Sequence, residues 1–320
     1  MIKFFYNNFG FLYRKLNIFL SVFFLKFHMD DENVETNKIY NELNKIDIFK
    51  KKIEKKFIFD SFANFRSKLK KIISDKNRLK NFLREDEIHK IMFGLNRLTF
   101  FFELIKIRMD NNWKYIWSKI INEQKIGSPI PYFLYPKSSG NRIHDTFNLK
   151  MLIDLNEKKK DFENIIEFGG GYGCLCNLIK KIYNINYYII YDLPEVNLLQ
   201  YYYLKKLNYN VYLNQIQLKR KNTIYLFSDI IKLKKFLKNS NFNNYMFLSN
   251  WGFSEVPTIL RKKFNSIIIK SKITFIAFQK NFETVNNFNY FSKILVNRKN
   301  KIKIFSRLFE NHYYILSNKS

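Results

Sequence analysis

At 320 residues with 47% hydrophobic side chains, the chain is long enough for a sizeable core in one large domain or two smaller ones. Two cysteines and four scattered histidines exclude a disulfide-stapled scaffold and a zinc site of the usual ligand spacing. The net charge of +29 leaves two readings open: AT-rich codon usage favouring Lys, Asn, Ile, Phe and Tyr, or a basic surface that meets nucleic acid, anionic lipid or a charged glycan.

Met1 to Phe27 is apolar and aromatic, and its longest uncharged run, Leu16 to Leu25, is about half the ~20 residues of a membrane-spanning helix. A docked core helix, an interfacial membrane helix and a cleaved signal are all compatible with it, although no small-x-small site follows at Lys26-Phe27-His28. Residues 33–125 are expected to be helical, with Ile39, Leu43, Ile46 and Ile53, then Ile88, Ile91, Met92, Leu95 and Leu98, near helical spacing. The lysine runs 50–52 and 158–160 read as solvated faces or loops. We therefore expect a helical N-terminal region over 1–126, packed as a cap on a domain over 127–320.

Gly127-Ser128-Pro129-Ile130-Pro131 and Tyr135-Pro136-Lys137-Ser138-Ser139-Gly140 hold three of the five prolines and read as an ordered loop, with His144 just beyond, placed to cover a pocket. From Ile165 strands and helices alternate. The expected strands are Ile165–Phe168, Tyr187–Tyr191, Asn210–Leu213, Thr223–Phe227, Tyr245–Ser249, Ile273–Phe278, Lys301–Phe305 and His312–Leu316. The expected helices are Gly173–Tyr183, Pro194–Leu207, Val256–Phe264 and Asn287–Val296. This predicts an α/β fold, a Rossmann-like sheet that is mainly parallel, with an antiparallel hairpin at one edge where no helix separates the last two strands.

Four of the nine glycines fall in Glu167-Phe168-Gly169-Gly170-Gly171-Tyr172-Gly173, between a strand and a helix. Side-chain-free positions allow a tight turn and let a ligand lie on the main chain at the helix start. A dinucleotide fingerprint fails narrowly, because Cys174 takes the third small position. The pattern fits better with E/D-x-G-x-G-x-G, which resembles the first motif of class I S-adenosylmethionine (AdoMet) methyltransferases. Asp192 closes the next strand, 25 residues after Glu167, where a carboxylate accepts ribose hydroxyls, or alternatively caps the helix opened by Leu193-Pro194. Asp229 follows a third apolar run and reads equally as an adenine contact or as a cap. Cys174 and Cys176 are i,i+2 on one helix and point apart, so neither a disulfide nor a metal pair is expected. With no other cysteine, a cytoplasmic setting is expected, the N-terminal segment leaving the inner membrane face as an alternative.

Several ordered segments resemble the sugar O-methyltransferases of bacterial surface-glycan clusters. They are Glu167–Gly173, Tyr191-Asp-Leu-Pro-Glu-Val196 with Leu199–Tyr202, Asn250-Trp-Gly-Phe-Ser-Glu255, Phe282–Asn287 with Tyr290-Phe291, and Asn311–Tyr314. The resemblance covers about residues 127–320. It departs at Asn250 and Gly252, where family members look like T-W-S-x-S-E. It implies AdoMet as cofactor, held by Glu167, Gly169, Gly170, Gly171, Gly173, Asp192 and Asp229. The acceptor is then a sugar hydroxyl near Asn250, Trp251, Asn286 and Asn287, with His144, Glu255 and Glu283 as candidate bases. No acid pair is spaced to claim a metal. A nucleic-acid methyltransferase is the rival that the charge suggests, although Trp251 and Gly252 stand where an N-P-P-Y motif has its prolines. A non-catalytic membrane-associated protein and an NAD-dependent sugar enzyme are the other two. The latter's Tyr-x-x-x-Lys pair near the loop is Tyr201–Lys205 or Tyr202–Lys206, too soon after it.

Overall fold

The computed structural model describes residues 12, 15–16, 19–25, 28–30, 34–46, 55–92, 98–156, 162–240, 242–296, 298–306 and 309–319. Both lysine runs, Ile53, Leu95 and most of residues 1–18 lie outside the described residues.

Strands β3 (Asn164–Phe168), β4 (Tyr187–Tyr191), β6 (Thr223–Phe227), β7 (Tyr245–Asn250) and β8 (Ile273–Gln279) are nearly unbroken apolar runs. Such strands are covered on both faces, as a parallel sheet requires. With β5 (Asn210–Leu213), β11 (Lys299–Ser306) and β12 (Phe309–Asn318) they form one eight-stranded sheet in the order β11-β12-β8-β7-β3-β4-β6-β5. Only β12 is reversed, pairing antiparallel with β8 and β11. This is a Rossmann-like sheet, mainly parallel with an antiparallel pair at one edge. The strand order reverses at β3, which pairs with β4 on one side and β7 on the other. A crevice outside the carboxyl ends of these three strands is where such sheets bind ligands.

Period-two alternation sends successive side chains to opposite cores. Ile166, Phe168, Ile189, Tyr225 and Phe247 pack against α9 (Ile230–Asn239), α10 (Thr258–Lys270) and α11 (Asn287–Ile294). Ile165, Tyr188, Ile190, Met246 and Leu248 face α6 (Gly140–Leu155), α7 (Cys174–Ile182) and α8 (Pro194–Lys206). Beyond that layer lie α1 (Val34–Asn44) and α2 (Asp60–Ser74), followed by α3 (Lys76–Lys80), α4 (Asp86–Ile91) and α5 (Leu98–Arg108). Ile39, Leu43, Phe65, Leu69 and Leu104 belong to the same continuous core as the sheet. The helices before Gly127 therefore share one core with the sheet after it.

The residues after Gly127 differ from the expected loop. Pro131–Tyr132 (β1) and Tyr135–Ser139 (β2) form a hairpin, and Ser139 Oγ then caps α6 by accepting from Arg142 N at 3.2 Å. Prolines signal a turn here, but they sit before the cap and leave the helix intact. Gly140 opens α6 because the Phe100 ring lies where a Cβ would project.

Charged contacts tie α8 to the N-terminal region. Arg66 holds Glu195 through two hydrogen bonds of 2.8 and 2.9 Å, and Tyr201 donates to Glu42 at 2.9 Å. Lys206 Nζ lies 2.6 Å from Asp30 Oδ1, with both side chains buried (4% and 5% exposed). Asp30→Ala removes this carboxylate from beside a buried ammonium, so it should destabilise the fold by roughly 1–3 kcal/mol, read as a fall in urea midpoint at unchanged m-value. A midpoint within error of wild type would show that the ammonium rehydrates freely.

Candidate functional site

The glycine loop is shaped by three left-handed residues, Gly169 (φ +75°), Gly171 (φ +55°) and Gly173 (φ +98°). A Cβ on Gly169 would stand 2.9 Å from Gly252 Cα, so the loops after β3 and β7 touch backbone to backbone. This gives the Gly252 departure a physical reason: a residue with a Cβ there would strike Gly169. At Gly171 a Cβ meets nothing within 4 Å, leaving open space beside the loop.

Three carboxyls are tied to the loop: Glu167 precedes it, Gln200 links Asp192 to Gly171, and Asn141 links Asp145 to Tyr172. Glu167 is buried on β3, and its Oε2 accepts from Tyr188 OH at 2.9 Å. Burial pushes its acid up to about 8, with Asp145 and Asp192 adding to the shift. Asp192 leaves the end of β4 and accepts from Leu193 N at 2.8 Å and Gln200 Nε2 at 3.0 Å. Burial raises it to about 7 against the pull of these donors and of Gly170 N–H. It does not cap α8; Leu193 does, with Pro194 in the first turn. Asp145 on α6 is raised as well, by burial first, against His144 and the Cys174 thiol. Carboxyls held this way favour a ligand that brings positive charge or hydroxyl donors.

Gln200 was not singled out as a site residue by sequence reasoning. From α8 its Nε2 donates both to Gly171 O (2.9 Å) and to Asp192 Oδ2 (3.0 Å), joining loop to acid. Its Oε1 is buried with no protein partner among the described residues. Both polar atoms of the Asn250 side chain, at the end of β7, are likewise buried and unpartnered among them. Native proteins rarely leave such atoms unsatisfied, so they mark where a ligand or water binds.

Next to Asn250, Trp251 has φ +61°, a strained backbone for a bulky residue. Its indole Nε1 donates to His312 Nδ1 at 3.0 Å, and its ring stacks on His144 with centroids 5.4 Å apart. His144 Nδ1 lies 2.9 Å from Glu103 Oε1, on α5. Burial alone would lower the imidazole, but Glu103, with a smaller contribution from Asp145, outweighs it and holds His144 above its ordinary value. His312 is lowered instead, by burial and by His144, which suits its role as acceptor from the indole. Glu103 lies 41 residues before His144, in the region expected only as a cap, and no sequence signal points to it.

The other expected residues are placed differently. Glu255 ends the short 3-10 turn Gly252–Glu255, and burial pushes it up to about 7 although Arg261 pulls it down. Arg261 is itself buried and donates to the carbonyls of Ser254 and Val256 and to Asn287 Oδ1, locking the loop after β7. The Asn287 amide is thus committed to Arg261 and, through Nδ2 at 2.8 Å, to Gln279 O. Asn286 Oδ1 caps α11 by accepting from Asn289 N at 2.9 Å. Glu283 is exposed in the turn between β9 (Asn281–Phe282) and β10 (Val285–Asn286). Asp229 Oδ1 caps α9, accepting from Ile231 N and Lys232 N. Cys174 and Cys176 are free, buried thiols. Among the described residues no group of three His, Cys, Asp or Glu is arranged to hold a metal.

No protein-family profile matches the chain, and no curated protein matches it. Solved structures do. The methyltransferase domain of bacterial CtHen1 aligns at TM-score 0.39 and 11% identity, over 53% of this chain and 97% of that one. TrmK of M. capricolum, solved with S-adenosyl-homocysteine, aligns at 0.35 and 12%, over 53% and 67%. MtNAS, in a complex with MTA and tNA, aligns at 0.40 and 9%, over 91% and 100%. The fold assignment itself rests on the strand order described above.

Proposed function

We propose that the chain is an AdoMet-dependent methyltransferase acting on a hydroxyl of a sugar or glycan. The observation that carries the reading is the carboxyl set tied to the glycine loop: Glu167 directly before it, Asp192 through Gln200 and Asp145 through Asn141, all raised, with open space at Gly171. The fit to AdoMet is chemical. Its ammonium and sulfonium suit Glu167 and Asp145, its ribose hydroxyls suit Asp192, and Gly171 leaves room for its main body. When bound, AdoMet supplies a methyl group already activated for transfer.

The remaining work is alignment and proton removal. Asn250 offers an unpartnered donor and acceptor, which matches a hydroxyl that both donates and accepts. With Nδ1–H donated to Glu103, His144 Nε2 carries the lone pair that takes the hydroxyl proton, and Glu103 stabilises the resulting imidazolium. Trp251, fixed between His144 and His312, walls the acceptor side. The sugar as acceptor is supported by the ordered segments resembling sugar O-methyltransferases, of which Trp251 and Glu255 are part.

Equilibrium titration tests the cofactor. The raised carboxyls hold protons near pH 6 and lose them toward about pH 9, and a cation favours their ionised form, so AdoMet should bind with proton release and more tightly as pH rises. Binding of NAD and not AdoMet would sink the reading. For the acceptor, methyl transfer to glycan hydroxyls is expected; transfer only to RNA or DNA, with steep salt dependence, would replace sugar with nucleic acid.

A further inference from the structure

The described part of the N-terminal segment is helical at residues 12, 15, 16 and 19–25. One flank is docked. Ser21 is buried, Leu25 O accepts from Arg84 Nη2 at 3.3 Å, and Asp30 joins Lys206, the Gly127 N–H and Ser128. The other flank is bare: Leu12, Leu16, Phe19, Val22 and Phe23 are between 46% and 67% exposed. Positions 12, 16, 19 and 23 recur at helical spacing and make one stripe, with Phe19 and Phe23 edge to face at 6.1 Å. Single exposed apolar residues are ordinary, whereas four in a contiguous stripe, with Val22 beside it, mark an interaction surface.

Charge selects the occupant. Residues 1–29 carry Lys3, Arg14, Lys15 and Lys26 and no acid, within a chain of net charge +29. A second copy would bring like charge against like. An anionic bilayer offers hydrocarbon to the stripe and acidic headgroups to the lysines. No helix among the described residues is long and apolar enough to cross a membrane, so the fit is to a helix lying in the surface plane.

We propose that this segment docks the protein on an anionic phospholipid surface, its Phe19–Phe23 stripe in the acyl boundary and Asp30 fastening it to α8. The inference is independent of the proposed chemistry. The test is flotation of the full chain with phosphatidylcholine vesicles containing about 30% phosphatidylglycerol, and with pure phosphatidylcholine. The chain should float with the anionic vesicles, weakly with the neutral ones, and less as salt rises. The Phe19→Ser/Phe23→Ser double variant should lose roughly tenfold or more in partitioning at an unchanged melting temperature, since both rings are exposed. If the double variant melts early, Leu16→Ser takes its place. Wild-type protein left at the bottom of the gradient overturns the proposal, as does a folded variant that floats like wild type. A concentration-dependent dimer that the variant abolishes, without vesicle binding, assigns the stripe to a second copy instead.

Discussion

His144→Ala should slow methyl transfer by about 10²–10⁴-fold, while AdoMet affinity stays within about twofold of wild type. The asymmetry follows from position. The imidazole is stacked on Trp251 and fixed by Glu103, on the side of Trp251 and Asn250, whereas the cofactor reading rests on Glu167, Asp192, Asp145 and the glycines. Glu103→Gln is the more diagnostic variant. Without the carboxylate only the smaller contribution of Asp145 is left against burial, and His144 is lowered from its raised position. Because the base works unprotonated, the acid limb of the kcat/KM profile should then move to lower pH as the plateau falls. A purely structural Glu103 would lower the rate without moving the limb. An unmoved limb in Glu103→Gln, or near-wild-type turnover in His144→Ala, would remove His144 from the role of base.

Gly169→Val should cut AdoMet affinity by about thirtyfold or more. Two separate costs add: a β-branched residue at φ +75°, about 1–3 kcal/mol, and a Cβ 2.9 Å from Gly252 Cα, about 1–3 kcal/mol more. Backbone lies on both sides of the contact, so neither loop has a flexible side chain to yield. Gly171→Ala is the control. Its Cβ meets no protein atom within 4 Å, so it carries only the left-handed backbone cost at φ +55°, about 1–2 kcal/mol, and a loss of AdoMet affinity beyond that would come from the ligand space itself. Wild-type affinity in Gly169→Val, measured by titration, would mean that the pocket lies elsewhere.

The central strands of the sheet were legible because they are buried on both faces, which writes them as short apolar runs bounded by polar residues. The glycine loop was legible for a similar reason, since a glycine-poor chain concentrated the residue at one turn. The helix Gly140–Leu155 was not, because its signal is a serine cap hidden behind three prolines. Glu103, Asp145 and Gln200 escaped notice as site residues because their roles exist only across the fold: Gln200 meets Asp192 and Gly171 at once, and Glu103 meets His144 from another helix. The opposite difficulty holds at Asn286 and Asn287. Their short amides look suited to hydroxyl recognition, but a sequence does not say which hydrogen bonds are already taken, and a helix cap and Arg261 take them.

Helix α8 carries Gln200 on one side and Glu195, Tyr201 and Lys206 toward the N-terminal region on the other. Anyone wishing to trim this protein to its sheet would find no clean place to cut. A chain starting at Gly127 would lose Glu103, leave Glu195 without Arg66, and uncover the aromatic flank of the helix that braces the glycine loop. The seam between residues 126 and 127 is a change of composition; the working unit extends across it.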